Sequence, residues 1–209
     1  MNEENLGHLE CVLDRLSDRQ ALDLILVVAG SRPACLIMDP DPNLKRNLEK
    51  FCRLAGLHFR VEEDSSEGLG KKGFLISRRE DRLEQLENST GRFYGMSDTH
   101  VGSFLGFPED DVDYFHEKIS RGPVEPETRK VKQKMLSKGK ISTEEAKISE
   151  IVSYVPEPSE EGVNRAMRKG KSYIQDLRKF DDDHDTEICS ITLENFLGIP
   201  VSFRDPYTS

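Results

Sequence analysis

The chain has 209 residues, enough for one domain with a sizeable hydrophobic core. Its 35% apolar and 33% charged content is lean for a globular protein, yet apolar residues recur periodically, which predicts a folded chain with a heavily charged surface. The net charge of −9, from 39 acids against 30 bases, argues against a general binder of nucleic acid or anionic membrane.

The opening Met-Asn-Glu-Glu-Asn lacks the basic and apolar regions of a signal peptide, and the longest apolar run, Leu24 to Ala29, is far too short to span a bilayer. A cytoplasmic protein is therefore expected. Cys11, Cys35, Cys52 and Cys189 show no Cys-x-x-Cys spacing, so neither a disulfide framework nor a thiolate zinc site is signalled, and buried free thiols are expected.

In chain order, Leu6, Leu9, Leu13 and Leu16 trace a helical stripe. Ser17 and Gln20 then suggest a capping box before a second helix that closes at Gly30. Ala34 to Met38 predicts a strand, followed by an Asp-Pro-Asp-Pro turn and a helix marked by Leu44, Leu48, Phe51 and Ala55 and stopped by Gly56. Leu57, Phe59 and Val61 alternate as a second strand, Phe74 to Ile76 form a third, and Arg79 to Asn88 should be helical. Beyond Thr90 the pattern predicts helices over 100–106, 109–120, 127–137 and 159–180, with Ile151 to Val155 as the one later strand.

These elements predict an α+β fold in one domain over 1–209. Residues 1–95 make a small mixed β-sheet (βαββα), with the first two strands parallel through a crossover helix and the third returning antiparallel, and 96–209 make a mainly helical half. The segment Val101 to Phe115 is the sharpest local signal. Gly106 takes the left-handed conformation past a helix end at Leu105, Phe107 folds back, Pro108 opens the next helix, and Glu109, Asp110 and Asp111 fill its first turn. Phe104-Leu-Gly-Phe-Pro108 recurs as Phe196-Leu-Gly-Ile-Pro200, but the flanks do not align, so two independent helix stops are expected rather than a duplication.

Several motifs invite a chemical reading and have a plainer one. Ser97-Asp98-Thr99-His100 resembles the first metal motif of metallophosphoesterases, but the further Asp, Asn and His ligands are missing, and Asp98 is better read as a helix N-cap. Gly68-Leu-Gly-Lys-Lys-Gly73 joins two strands rather than a strand and a helix, so a hairpin loop is favoured over a phosphate cradle. Asp181-Asp-Asp-His-Asp185 reads as a charged surface loop. Basic residues including Lys130, Lys134, Arg168 and Lys171, with Tyr173, could follow a phosphate backbone if they shared one face, although solvated helix faces are the commoner outcome.

The same Val101–Phe115 segment resembles the Leu-Gly-Tyr-Pro-x-Cys-Cys-Val motif of an uncharacterised archaeal family of unknown function, through Gly102, Phe104-Leu-Gly-Phe-Pro108, Val112 and Phe115. Val155-Pro-Glu-Pro-Ser-Glu-Glu161 is similar to that family's later Pro-Cys-x-x-x-Cys segment. Acids stand where the cysteines would be. The resemblance implies that Asp110, Asp111, Glu157 and Glu161 occupy the positions of four metal ligands and approach one another in space. Carboxylates would replace a thiolate preference with one for Mg2+ or Mn2+, or the site has been lost, which is favoured because four unscreened carboxylates repel. No cofactor is expected.

The chain offers no complete nucleophile, base and orienter set. The leading expectation is a cytosolic, non-catalytic interaction or regulatory module, retaining the relic of a metal site and binding a protein partner or itself. Enzyme status stays open. The alternatives are a divalent-metal-dependent hydrolase using the acidic helix starts and an RNA-binding protein using the basic helices.

Overall fold

The computed structural model describes residues 1–38, 40–63, 72–90, 98–119 and 125–199. The chain folds as an α+β protein in which three strands in the N-terminal half are followed by a helical C-terminal half. Helices α1 (Glu3–Leu13) and α2 (Asp18–Val28) come first. Ser17 caps α2 by accepting from the Gln20 amide, so one arm of the anticipated capping box is made.

The strands are β1 (Ala34–Met38), β2 (His58–Glu63) and β3 (Lys72–Ser77), and helix α3 (Pro42–Ala55) connects the first two. Their spatial order is β1-β3-β2, with β3 antiparallel to both neighbours. The crossover therefore leaves β1 and β2 parallel, as expected. Because β3 inserts between them, however, every hydrogen-bonded pair is antiparallel and the sheet is not mixed in its pairing.

Both faces of the sheet are covered, which explains why β1 reads Ala-Cys-Leu-Ile-Met rather than alternating with polar residues. Cys35, Ile37, Phe74 and Ile76 pack in one cluster with Leu9, Leu24 and the α3 stripe Leu44, Leu48 and Phe51. The crossover helix thus faces the sheet through the predicted residues. Ala34 and Leu75 point the other way, against Leu83 of α4 (Glu80–Thr90) and Phe104 of α5 (Asp98–Leu105).

The helical half comprises α6 (Glu109–Ile119), α7 (Glu125–Ser137), α8 (Thr143–Ile148), α9 (Glu160–His184) and α10 (Ile188–Leu197). Tyr173, Ile174, Leu177 and Phe180 of α9 join Leu22, Ile25 and Leu26 of α2 and Leu193 of α10 in a second core cluster. One face of α2 serves the sheet and another serves α9, and α10 likewise reaches both cores, with Ile188 in the first cluster and Leu193 in the second.

Three expectations are corrected here. The stretch Ile151 to Val155 forms no strand: Ile151 and Val152 are buried consecutively, and Pro156 and Pro158 follow without an amide to donate. Helix α9 runs on through His184 instead of stopping at 180, so Asp181 lies within the helix and is buried rather than in a surface loop. Helix α8 is not among the sequence-predicted elements, and of α10 only the stop at Gly198 is. Gly68 to Lys71, Asp39 and Ser97 lie outside the described residues, while Lys72 and Gly73 are in β3 and Asp98 begins α5.

The two similar helix stops use one residue type and different bonds. Gly106 has φ 77°, with the Phe107 amide donating to Gly102 and the Gly106 amide to Ser103, a Schellman arrangement. Gly198 has φ 61° and makes a single bond back to Glu194. A side chain at Gly106 would also meet Pro33 Cγ at 2.5 Å, whereas nothing among the described residues lies within 4 Å at Gly198. Urea unfolding should accordingly separate the two sites. Gly106→Val is expected to cost about 2–4 kcal/mol, backbone strain plus overpacking, and Gly198→Val only the strain, about 1–2 kcal/mol.

Candidate functional site

The Schellman stop sends the chain from α5 into α6 through Phe107 and Pro108, which fixes the direction in which the acids of the next turn point. Glu109 and Asp110 are exposed, but Asp111 is 1% exposed. Its carboxylate faces the start of α9. Arg165 reaches back from that helix and binds it with two donors, Nη2 to Oδ1 at 2.9 Å and Nε to Oδ2 at 3.2 Å. The Glu157 amide donates to Oδ1 at 3.0 Å. Asp110 and Glu157 also lie near the guanidinium, at 3.5 Å and 3.6 Å.

Three of the four acids singled out in the sequence are therefore gathered around one side chain, and that side chain is a cation supplied by the protein. Glu161 is not part of the group. It points outward to Arg168 at 2.7 Å, and both are exposed. The bidentate hydrogen bond to Asp111, reinforced by the charges of Asp110 and Glu157, raises the Arg165 pKa still further above its usual value.

This donor set does not fit a hard divalent cation. Asp111 already accepts three hydrogen bonds with its two oxygens, which is most of its roughly four acceptor positions, and the guanidinium stands where the three carboxylates converge. Among the described residues, no group of three or more His, Cys, Asp or Glu side chains is arranged to hold a metal ion. Asp113 and His116, on the same helix, are exposed.

A second polar group lies beside the first, and its residues had not been picked out from the sequence. Arg32, 2% exposed, donates to Asp23 at 2.6 Å and to Ser153 at 2.5 Å, and the Ser153 hydroxyl donates in turn to Asp23. Arg19 donates to the carbonyls of Glu150 and Val152 at 2.7 Å and 2.8 Å, and Thr128 donates to that of Pro156 at 2.8 Å. Together with the Asp111–Glu157 bond, these contacts tie the irregular segment 150–157 to α2, α6 and α7 without any β-ladder. Asp23, an acid inside the run Leu22-Asp-Leu-Ile-Leu-Val, was the one available signal. Arg32 carried none.

The groups are joined by aromatic contacts. Arg32 lies over the Phe107 ring at 5.3 Å, and Phe107 packs at 5.3 Å from Tyr154. The Tyr154 hydroxyl is buried without a hydrogen-bond partner among the described residues, and burial, followed by the nearby Asp111 charge, pushes the phenol pKa up. It stays protonated at neutral pH.

Of the basic helices' candidate residues, Arg168, Lys171 and Tyr173 are engaged within the fold. Tyr173 is 3% exposed, so its ring is not a platform for a base, and Lys169 covers its face at 4.9 Å. Lys171 pairs with Glu145 at 3.0 Å and Arg168 with Glu161, while Lys130 and Lys134 lie exposed on α7. Asp181, expected as surface charge, instead accepts from the Cys189 and Ser190 amides at 3.0 Å and 2.8 Å. It thereby caps α10, whose own N-cap residue Glu187 provides no side-chain bond. Cys35, Cys52 and Cys189 are buried free thiols, and Cys11 is exposed.

Compared with known proteins, the chain matches no family model, no curated protein and no solved structure. No helix among the described residues is long and apolar enough to cross a membrane.

The buried pair has an asymmetric dependence on its partners. Arg165→Met leaves the Asp111 carboxylate buried and unpaired and should lower stability by about 3–5 kcal/mol. Asp111→Asn keeps an acceptor for the Glu157 amide and leaves Arg165 beside Asp110 and Glu157, so about 1–3 kcal/mol is expected. In urea titrations the double variant should be more stable than the sum of the two losses implies, because once Asp111 is neutral Arg165 no longer has a buried charge to match.

Proposed function

We propose that the protein is a non-catalytic interaction or regulatory module in which Arg165 performs, for the two acid-rich helix starts, the joining role a cation would perform in a metal site. The observation that carries this reading is the position of the Arg165 guanidinium, bonded twice to buried Asp111 and within 3.6 Å of Glu157. It ties α6 to α9 using groups intrinsic to the chain. The similarity of Val101–Phe115 to a cysteine-bearing archaeal segment supports treating the arrangement as the relic of a metal site, with carboxylates for thiolates and a guanidinium for the ion.

The reading is further supported by what surrounds the pair. Its oxygens are occupied by structural hydrogen bonds, and the neighbouring Asp23–Arg32–Ser153 group is committed to fixing the 150–157 segment. A hydrolytic centre needs a base with a free electron pair, or a polarising cation or hydrogen-bond donor, directed at a substrate. The basic helices give weaker support to an RNA-binding role, since Tyr173 is buried and Arg168 and Lys171 have acidic partners.

Calorimetric titration of the purified chain with magnesium, manganese and zinc tests the proposal. No saturable heat is expected at millimolar ion. Saturable binding abolished by Asp111→Asn would instead establish a metal centre and favour a metal-dependent hydrolase.

A further inference from the structure

The C-terminal end of α1, the turn after it and the first residues of α2 form one wall of a groove of about 430 Å³, and the outer face of α10 forms the other. Leu13, Leu16 and Ile191 contribute apolar surface to it. Ile191 is the most exposed large apolar side chain among the described residues, at 53%. The polar residues on the α1–α2 wall are all acids: Glu10, Asp14 and Asp18.

Asp18 lies in the first turn of α2, where the helix dipole favours it, but the other two acids are not explained by the fold. Glu10 and Asp14 sit in the last turn and at the C-cap of α1, where the exposed carbonyls already carry partial negative charge and where no basic residue is present. A carboxylate there opposes the helix dipole. None of the three has an ion pair among the described residues. The nearest bases in sequence are drawn elsewhere, Arg15 to Asp41 at 3.5 Å and Arg19 to the carbonyls of Glu150 and Val152. Among the described residues the rim thus keeps negative charge without a basic partner, beside the apolar side chains of Leu13, Leu16 and Ile191.

We propose that this groove docks a cationic amphipathic segment of a partner protein, whose apolar side chains pack on Leu13, Leu16 and Ile191 while flanking Lys or Arg side chains pair with Glu10, Asp14 and Asp18. The inference rests on the interaction-module reading and names the chemistry of its partner. Charge complementarity selects the occupant. An acidic or neutral segment would bury the same apolar surface but leave the rim repulsion in place, whereas a basic one relieves both.

The test uses fluorescence anisotropy of a labelled Leu/Lys peptide whose leucines share one helical face, titrated with the full chain, beside a peptide of the same composition with its leucines scattered. Saturable, salt-sensitive binding is expected for the first peptide only. Ile191→Asp and Asp14→Lys should each weaken it by about tenfold or more. Asp182→Lys makes the same charge change at an exposed position on α9 and should leave it within about twofold. All three positions are solvent-facing, and circular dichroism confirms folding.

Equal binding of both peptides, equal loss in Asp182→Lys, or indifference to Ile191→Asp would overturn the proposal, since the attraction would then be net charge alone. A wild-type dimer converted to monomer by Ile191→Asp would also overturn it, by showing the groove covered by a second copy. Failure of peptide binding with no metal binding in the calorimetric experiment removes this surface and leaves the module reading standing. Saturable metal binding removes that reading whatever the peptide does.

Discussion

Burying a carboxylate to 1% exposure is costly unless it is matched at close range by a counter-charge and hydrogen bonds, and Asp111 is such a carboxylate. Arg165 supplies the match, and much of the geometry of the C-terminal half follows. The pair sets the first turn of α6 against the beginning of α9, and the Glu157 amide on the same Asp111 oxygen places the chain entering α9. The alternative ways of seating α6 would leave one member of the pair without its partner. That cost makes the arrangement selective whether or not the pair adds net stability over two apolar residues of similar size.

The pair also solves a problem created by residues 150–157. This stretch passes between helices without entering the sheet, so its amides and carbonyls must be satisfied individually. Arg19 of α2, Thr128 of α7 and Asp111 of α6 do this through their side chains, while Arg32 and Asp23 hold the Ser153 hydroxyl. Phe107, placed by the turn at Gly106, lies under Arg32 and beside Tyr154, so the helix stop, the strap and the ion pairs are parts of one packed unit. The sheet end of the molecule is coupled to it through Pro33, which lies against Gly106.

What could be read in the sequence was what local chemistry determines. Gly56 and Gly106 end helices because only glycine takes their left-handed backbone cheaply, and Leu44, Leu48 and Phe51 had to face the sheet because their spacing permits no other common face. The meeting of Asp110, Asp111 and Glu157 was also anticipated, through resemblance and not through spacing. The cation at their centre was not, because Arg165 looks like any other base on a charged helix until α6 is laid against it. Helix α10 shows only its stop at Gly198 in the sequence, for a related reason: its cap comes from Asp181, in a different helix, and a capping signal supplied by tertiary contact leaves no trace beside Glu187. Helix α8 is different. Its capping box, Ser142 with Glu145, is a purely local signal, set among charged residues that blur the apolar pattern of so short a helix.

Whether an arginine and a metal ion are interchangeable at such a junction depends on directionality. A divalent ion accepts oxygen ligands from all sides and would draw Asp110, Asp111 and Glu157 inward together, whereas a guanidinium donates in one plane and binds one carboxylate well. The distances show that preference: 2.9 and 3.2 Å to Asp111, but 3.5 and 3.6 Å to Asp110 and Glu157, both of which retain access to water. The arginine therefore neutralises the single acid that burial makes costly and leaves the other two as screened neighbours. An ion entering this space would have to displace Arg165 from Asp111 and then lie beside the displaced positive charge, with α9 preventing the side chain's Cα from retreating. The same contacts that make the junction rigid make it a poor competitor for metal, which is why the surface chemistry of the molecule, and not this buried centre, is where contact with another molecule is to be sought.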